Sequence, residues 1–286
     1  MSFFLTAGKR QIDLSTPLCM GIINATPDSF SDGSELAKTS KRKFVIDIDK
    51  AVQRVDSFIE QGACIVDIGG ESTRPGASAV PEDEELNRVI PLIEAISQRF
   101  DVCISVDTSS ATVMSEAIKA GAEIINDIRS LSDPGALTVA ANSEAAVCLM
   151  HMQGQPRTMQ ENYQYDEVVN EVYDFLESRV AACITAGIQR ERIIVDVGFG
   201  FGKSLDHNYR LLNNLGHFKN LKLPLLVGIS RKSMIGGIVG RPTHERLAGS
   251  VAATVLALEK GADIVRTHDV AATVDAIRVH SAYRQA

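Results

Sequence analysis

Short apolar runs alternate along the chain with longer segments in which apolar residues recur every three or four positions. The short runs are rich in β-branched residues, which is typical of buried parallel strands. The longer segments, such as the one from Val168 to Ile184, have the spacing of amphipathic helices. Pro81 followed by three acidic residues predicts the start of another helix. Eight strands are predicted, over residues 18–24, 63–68, 102–107, 123–127, 146–150, 192–197, 224–229 and 263–267.

The alternation contains an internal repeat. Residues 62–67, 121–126 and 261–266 each begin with Gly-Ala, continue into a β-branched strand and end in a polar residue, and residues 186–196 are a looser copy. A glycine in this place suits the left-handed residue that follows the end of a helix. This repeated order, in which a helix is followed by a glycine, a strand and a polar residue, predicts βα units and a parallel sheet.

The repeat predicts an α/β protein with a single domain over residues 1–286, a (β/α)8 TIM barrel, because no linker long enough to separate domains interrupts it. Phe3–Leu5 and Gln11–Leu14 are predicted to form an N-terminal hairpin that closes the barrel floor. The polar segments 26–43 and 71–82 follow the first and second strands. They are predicted to be long loops that act as lids.

Each predicted strand ends in a polar or charged residue. The carboxyl ends of all barrel strands open onto one rim, and a polar rim costs free energy unless it binds something, so the pattern predicts an enzyme. Taken alone, Asp107 could instead cap the next helix, and Asn126 with Asp127 could form a turn; capping is less natural for Asp196. The eight ends are Asn24, Asp67, Asp107, Asn126, His151, Asp196, Ser230-Arg231-Lys232 and Arg266-Thr267-His268.

A glycine-rich loop follows the sixth strand, over residues 198–204. It is not a phosphate-binding P-loop, because that pattern needs glycine at position 197 and Val197 stands there. The glycines are instead predicted to let the backbone approach a flat ligand, with Phe199 or Phe201 beside it. Lys203 is expected to be solvated.

Positive charge is concentrated at the ends of the last two strands, where barrels of this kind favour phosphate sites. Arg266 and His268 alternate along an extended segment, so both can point to the same side. Together with Lys232 and Arg74, they predict an anion site at the rim.

Composition limits the partners. The net charge is −7, and no block of five Lys or Arg occurs, which argues against nucleic acid. No leader-like segment or run of transmembrane length is present, so no membrane association is expected. The cysteines are odd in number and lack a CxxC pair, which favours buried, reduced thiols and a cytoplasmic protein. They are Cys19, Cys64, Cys103, Cys148 and Cys183.

Seven of these segments together resemble the dihydropteroate synthase family. The match runs in the family's order from about residue 18 to the end and departs from it at no motif position. The motifs are Met20–Gly33, Asp67–Gly76, Ser105–Thr108, Ile125–Asp127, Asp196-x-Gly198-x-Gly200, Ser230–Ser233 and Arg266–His268.

The resemblance implies that 4-aminobenzoate displaces pyrophosphate from 6-hydroxymethyl-7,8-dihydropterin pyrophosphate, giving 7,8-dihydropteroate for folate synthesis. It also implies Mg²⁺ on the pyrophosphate, a homodimer and a sulfonamide target. The implied pterin residues are Asp107, Asn126, Asp196, Lys232 and Arg266. The implied pyrophosphate residues are Asn24, which would also hold the metal, Thr73, Arg74, Arg266 and His268.

The remaining implied roles concern the second substrate and the chemistry, which is expected to be a dissociative C–O cleavage. The 4-aminobenzoate site is expected to contain Phe30, Thr73, Pro75, Phe199, Lys232 and Ser233. The catalytic residues are expected to be Asp107, Lys232, Arg74, Arg266 and His268.

Two other readings stay open at this point. One is the pterin-binding barrel of a corrinoid methyltransferase, which should lack the two long loops and the Arg-x-His anion site. The other is a metal-dependent barrel aldolase using Asp67, Asp107 and Asp196, which would need a denser set of metal ligands and leaves the glycine loop unexplained.

Overall fold

The structure is a computed structural model that describes residues 4–26, 46–71, 80–155, 158–159 and 163–286. Its first two strands form an antiparallel hairpin, and the next eight form a closed parallel barrel in which the last strand pairs with the first. The predicted (β/α)8 barrel with its N-terminal hairpin is therefore confirmed. The strands are β1 Phe4–Ala7, β2 Arg10–Asp13, β3 Leu18–Asn24, β4 Ile65–Gly69, β5 Cys103–Asp107, β6 Ile124–Asp127, β7 Ala146–Met150, β8 Ile193–Asp196, β9 Leu225–Val227 and β10 Ile264–Thr267.

Helices follow each barrel strand and cover the outside of the barrel. The predicted helix start after Pro81 is confirmed, with four acidic residues in the first turn near the positive end of the helix dipole. The helices are α1 Ile48–Glu60, α2 Glu82–Ser97, α3 Ala111–Ala120, α4 Ala136–Ala141, α5 Val168–Thr185, α6 Leu205–Asn213, α7 Ser233–Val239, α8 Leu247–Glu259 and α9 Val270–Gln285.

The hairpin closes the floor of the barrel, as predicted. Leu5 and Ala7 of β1 are fully buried against the side chains that the barrel strands turn inward near their amino ends, such as Met20 and Ile65. Arg10 of β2 fastens the hairpin through an ion pair from its Nε to Glu123 Oε2 at 2.6 Å. Because this end is filled by side chains, a ligand can enter only from the opposite rim.

The two segments predicted as lids fall mainly on residues 27–45 and 72–79, outside the described residues. The prediction that residues 1–286 form one domain stays a prediction. None of the described helices combines the length and the apolar character needed to cross a membrane.

Candidate active site

The carboxyl ends of the barrel strands bring three of the predicted polar residues to one level. Asn24, Gly69, Asp107 and Asn126 are register partners across β3, β4, β5 and β6. Gly69 adds no side chain to this row, and an added Cβ there would lie 3.5 Å from that of Asp107. The register therefore gathers the side chains of Asn24, Asp107 and Asn126 at one side of the barrel mouth.

Arg266 lies between two carboxylates at this mouth. Its Nε is 2.5 Å from Asp67 Oδ2, and its Nη2 is 2.7 Å from Asp107 Oδ2. Burial alone would lower the pKa of Arg266, but the two carboxylates raise it. Arg266 is therefore a permanent cation that also neutralises the aspartates.

Asp107 belongs to the mouth and not to a helix cap. The cap of α3 is Ser110, whose side chain accepts from Val113 N. Burial raises the pKa of Asp107 to about 7, and the Arg266 guanidinium opposes that rise. The helix-cap alternative for Asp107 is therefore excluded by the structure.

Asn126 and Asp127 point in opposite directions, as neighbours on a strand do. Asn126 Nδ2 donates to Asp67 Oδ2 at 3.2 Å inside the barrel. Asp127 accepts from Ser109 Oγ and from the backbone N–H groups of Arg129 and Leu131, which shapes the turn after β6. Asn126 therefore belongs to the barrel mouth, and Asp127 forms the turn that was the alternative for the pair.

Asp196 and Lys232 form the other side of the mouth. Asp196 Oδ1 accepts from Gly198 N at 2.8 Å, and burial raises the pKa of its carboxyl group. Lys232 Nζ donates to Phe199 O at 2.5 Å and lies 4.6 Å from the ring centre of Phe201. Burial lowers the pKa of Lys232 to about 8, which keeps it mostly protonated at neutral pH.

Two of the three glycines after β8 are required by packing within the protein. A Cβ on Gly198 would lie 1.9 Å from His151 O, and one on Gly202 would lie 2.4 Å from Gln153 O. Both residues also have positive φ, at +68° and +60°. Gly198 and Gly202 therefore allow the loop to pack directly on the chain after β7, and the prediction that the glycines let the backbone approach a flat ligand stays a prediction.

Lys203 is buried, so the prediction that it is solvated was wrong. Its side chain is 3% exposed, and its Nζ donates to Gly198 O at 2.9 Å and Phe201 O at 3.0 Å. Its other partners are His151 O at 3.2 Å and His151 Nδ1 at 2.9 Å. Burial lowers the pKa of His151 to about 2, so this imidazole is neutral. Sequence reasoning missed this pair because its two members lie on different strand ends.

Phe199 and Ser233 were both expected to contact 4-aminobenzoate. The Phe199 side chain is fully buried in the core between barrel and helices, so only its carbonyl reaches the mouth, through Lys232. The aromatic ring beside Lys232 is that of Phe201. Ser233 is the exposed first residue of α7.

The predicted positive cluster separates into two parts. Arg231 makes a bidentate ion pair with Asp269, with Nε–Oδ2 at 2.9 Å and Nη2–Oδ1 at 2.5 Å. His268 follows β10, and its Nδ1 lies 3.1 Å from Ser230 Oγ. Lys232, Arg266 and His268 therefore remain at the mouth as anion-binding candidates, whereas Arg231 stabilises the loop after β9.

Four predicted site residues lie outside the described residues: Phe30, Thr73, Arg74 and Pro75. Among the described ones, Asp67 was predicted to lie at the rim, but its contacts with other site residues were not predicted. It is fully buried and contacts both Arg266 and Asn126. Because Asp67 and Asp107 both form ion pairs with Arg266, they are poorly suited to hold a metal. This disfavours the hypothesis of a metal-dependent barrel aldolase.

Comparison with known proteins agrees with this geometry. A family model described as pterin binding enzyme matches residues 20–268. The dihydropteroate synthase of Haemophilus influenzae is 51% identical over 278 residues, which cover 97% of this chain and 98% of that protein. The Escherichia coli enzyme of the same name is 54% identical over 275 residues, covering 96% and 94%.

Solved structures give the same result. The Yersinia pestis dihydropteroate synthase in a sulfonamide drug complex has a TM-score of 0.93 and 49% identity, covering 99% of this chain and 100% of that one. The Xanthomonas albilineans enzyme with 4-aminobenzoic acid has a TM-score of 0.91 and 46% identity, with 100% of both chains covered. The chain therefore belongs to the pterin-binding enzyme family and, within it, to the dihydropteroate synthases, which are transferases.

Proposed function

We propose that the barrel mouth joins 6-hydroxymethyl-7,8-dihydropterin pyrophosphate to 4-aminobenzoate, releasing pyrophosphate and giving 7,8-dihydropteroate for folate synthesis. The observation that carries the proposal is a buried wall of hydrogen-bond acceptors facing a partly desolvated lysine. Asp107, Asn126 and Asp196 supply the acceptors, and Lys232 is the lysine. A flat ring with several N–H groups and a carbonyl fits such a wall.

The pterin ring is assigned to Asp196 and Lys232 first. A pterin carries a ring N–H beside an exocyclic amine, and a carboxylate has enough lone pairs to accept both while keeping its bond from Gly198 N. Lys232 would donate to the ring carbonyl and a ring nitrogen. Asp107 and Asn126 would satisfy the remaining ring groups, and Arg266 would border the ring from β10.

The pyrophosphate is assigned to the edge of the mouth that β10 and β3 form. Arg266 and His268 stand on and just after β10, next to β3, which ends at Asn24. Cations and N–H donors at this place would stabilise the charge that develops on the leaving group. Thr73 and Arg74 are assigned to the same anion from the family resemblance.

Asn24 fits a magnesium ion. Mg²⁺ takes oxygen ligands and often uses one or two from the protein, with phosphates and water completing the shell. Asn24 offers a side-chain carbonyl oxygen at the end of β3, and among the described residues no group of three His, Cys, Asp or Glu could hold a metal by itself. Bound there with the substrate, Mg²⁺ would neutralise negative charge on the pyrophosphate.

The reaction is proposed to be dissociative. The C–O bond of the 6-hydroxymethyl group breaks, its electron pair leaves with pyrophosphate, and the electron-rich dihydropterin stabilises the resulting carbocation. The 4-aminobenzoate nitrogen then forms the C–N bond and releases a proton. Lys232, Ser233, Phe30, Thr73 and Pro75 are proposed to border the incoming amine, with the Phe201 ring replacing that of Phe199.

Product analysis tests the proposal directly. The protein is incubated with the pterin pyrophosphate and 4-aminobenzoate, with and without Mg²⁺, and products are separated by liquid chromatography. We expect dihydropteroate and pyrophosphate in equal amounts, and far less of both after the metal is removed. Formation of no dihydropteroate under any metal condition would refute the function, and equal turnover without Mg²⁺ would refute the metal assignment.

We also propose that the chain forms a homodimer through the helices on one side of the barrel. Ile238 of α7, Leu256 of α8 and Val279 of α9 are between 55% and 69% exposed, which is unusual for large apolar residues on adjacent helices. Analytical ultracentrifugation should find a dimer, and Leu256→Glu should shift it toward monomer. A monomeric wild type at micromolar concentration would refute the proposal.

A cytoplasmic location is proposed from the cysteines. All five thiols are free and four are buried, as expected for a protein kept in a reducing compartment. Cell fractionation should recover the protein with cytosolic markers; recovery with secreted or membrane fractions would refute the location.

A further inference from the structure

Asp67 is a buried charge in the middle of a barrel strand. It lies two residues before the end of β4, pairs in register with Ile22 and Ser105, and has no exposed surface. Its Oδ1 is buried and has no hydrogen-bond partner within the part of the chain that the structure describes. Burying a carboxylate is expensive, and an apolar residue would fill this position at lower cost. The carboxylate of Asp67 must therefore have a role other than packing.

The contacts of the other carboxylate oxygen of Asp67 indicate this role. Oδ2 accepts from Arg266 Nε at 2.5 Å and from Asn126 Nδ2 at 3.2 Å. This oxygen already accepts from the Arg266 guanidinium, so it can only accept from Asn126 as well, and the NH₂ group of Asn126 must be the one that faces Asp67. The carbonyl oxygen of Asn126 is thereby fixed on the other side of the amide, where it acts as an acceptor.

The same oxygen orients Arg266. Its Nε is held by Asp67 and its Nη2 by Asp107, and two contacts along one edge of a planar guanidinium fix both its position and its plane. None of the described residues hydrogen-bonds the opposite edge of the guanidinium, which can therefore take another ligand. Asp67 therefore controls two side chains that the proposed function assigns to substrate.

We infer that Asp67 is a positioning residue, which sets the hydrogen-bonding polarity of Asn126 and the plane of Arg266 without contacting the substrate. With Asn126 fixed as an acceptor and Asp107 ionised, the wall formed with Asp107 and Asp196 offers acceptors only. Such a wall selects a ring rich in N–H groups and rejects rings that present lone pairs there. The inference rests on the proposed function, because it concerns the pterin site.

Three variants distinguish loss of side-chain orientation from loss of the Asp67 charge and from general destabilisation of the fold. Asp67→Ala removes the acceptor and frees the Asn126 amide to turn. Asp67→Asn removes the charge but keeps an oxygen that can replace Oδ2 for both partners. Asp127→Ala is the matched control, because Asp127 is an equally buried carboxylate next to Asn126 whose partners are Ser109 in the loop after β5 and the turn after β6.

The test is calorimetric binding of pyrophosphate-free 6-hydroxymethylpterin, with thermal unfolding of each variant. We expect Kd to rise at least about tenfold in Asp67→Ala, because a ligand donor meets a misoriented amide. Asp67→Asn should stay within about threefold of wild type, as should Asp127→Ala despite a lower Tm. In steady-state kinetics, Asp67→Ala should raise KM for the pterin pyrophosphate more than KM for 4-aminobenzoate.

The outcomes also separate this inference from the function itself. Wild type that fails to bind the pterin would refute the proposed function. Normal binding by wild type with unchanged Kd in Asp67→Ala would refute only the positioning role. Equal losses in Asp67→Ala and Asp127→Ala would make the effect a structural one, and equal losses in Asp67→Ala and Asp67→Asn would make it one of charge.

Discussion

Replacing Asp196 by asparagine changes one atom in the mouth, and the surrounding backbone decides which one. Oδ1 of Asp196 accepts from Gly198 N at 2.8 Å, and that N–H can only donate. In Asp196→Asn the amide oxygen must take this place, because an NH₂ group there would face another donor. The NH₂ group is then forced into the position of Oδ2, toward the ring N–H groups of the pterin.

The expected loss has two parts. A hydrogen bond to a charged group contributes about 1.5–3 kcal/mol, and a buried donor left facing another donor costs about 1–3 kcal/mol more. Because about 1.4 kcal/mol is a factor of ten, pterin affinity should fall at least about tenfold, and by roughly a hundredfold to ten-thousandfold if both parts apply. The fold should survive, because the bond to Gly198 is kept.

Isothermal titration calorimetry with 6-hydroxymethylpterin measures this change. The matched control is Asp127→Asn, which alters another buried aspartate that faces the turn after β6 and should lower stability but not pterin affinity. Since burial raises the pKa of Asp196, wild-type affinity should also weaken as pH falls through that pKa, and the variant should lack this dependence. Unchanged binding in Asp196→Asn would remove Asp196 from the pterin site.

Three further predictions follow from the geometry. His268→Ala should weaken the pyrophosphorylated pterin about tenfold in calorimetry and the bare pterin much less; equal losses for both ligands would remove His268 from the anion site. Burial raises the pKa of Glu85 to about 7, so wild-type stability should fall as pH rises from about 4 to 7. Glu85→Gln should then be more stable than wild type at pH 8 by up to roughly 3 kcal/mol in urea unfolding, with little difference at pH 4, and a constant difference would contradict this origin. Gly198→Ala should have a far lower Tm than Gly187→Ala, because both positions have positive φ but only position 198 has a carbonyl oxygen 1.9 Å from the added Cβ. Similar Tm values for the two variants would mean that the loop can move away.

The sequence predicted the barrel well because its signals are local. All eight predicted strands occur within two residues of their expected ends, and the glycines at positions 62, 121 and 261 have the positive φ that the repeat implied. Each signal depends on a few consecutive residues: a β-branched run, a glycine after a helix, or acidic residues after a proline. These local patterns predict the fold correctly because packing of the barrel favours the same alternation of strands and helices.

The glycine loop shows where local reasoning stopped. Its glycines and Lys203 were assigned to a ligand and to solvent because only their own segment was considered. Their partners are His151 and Gln153, which follow the preceding strand and lie about 50 residues away in the chain. Only the register of β7 on β8 brings those carbonyls against the loop, and no feature of residues 198–204 encodes that register.

The ion pairs of the mouth have the same origin. Arg266 is separated from Asp67 by 199 residues and from Asp107 by 159, and they meet because closure of the barrel places β10 beside β3. Barrel closure thus places a cation among carboxylates that would otherwise repel one another and resist ionisation. The sequence could predict that each side chain reaches the rim, because that follows from its own strand. It could not predict which charge compensates which, because Asp67 on β4 meets Asn126 on β6 and Arg266 on β10 only in the closed barrel.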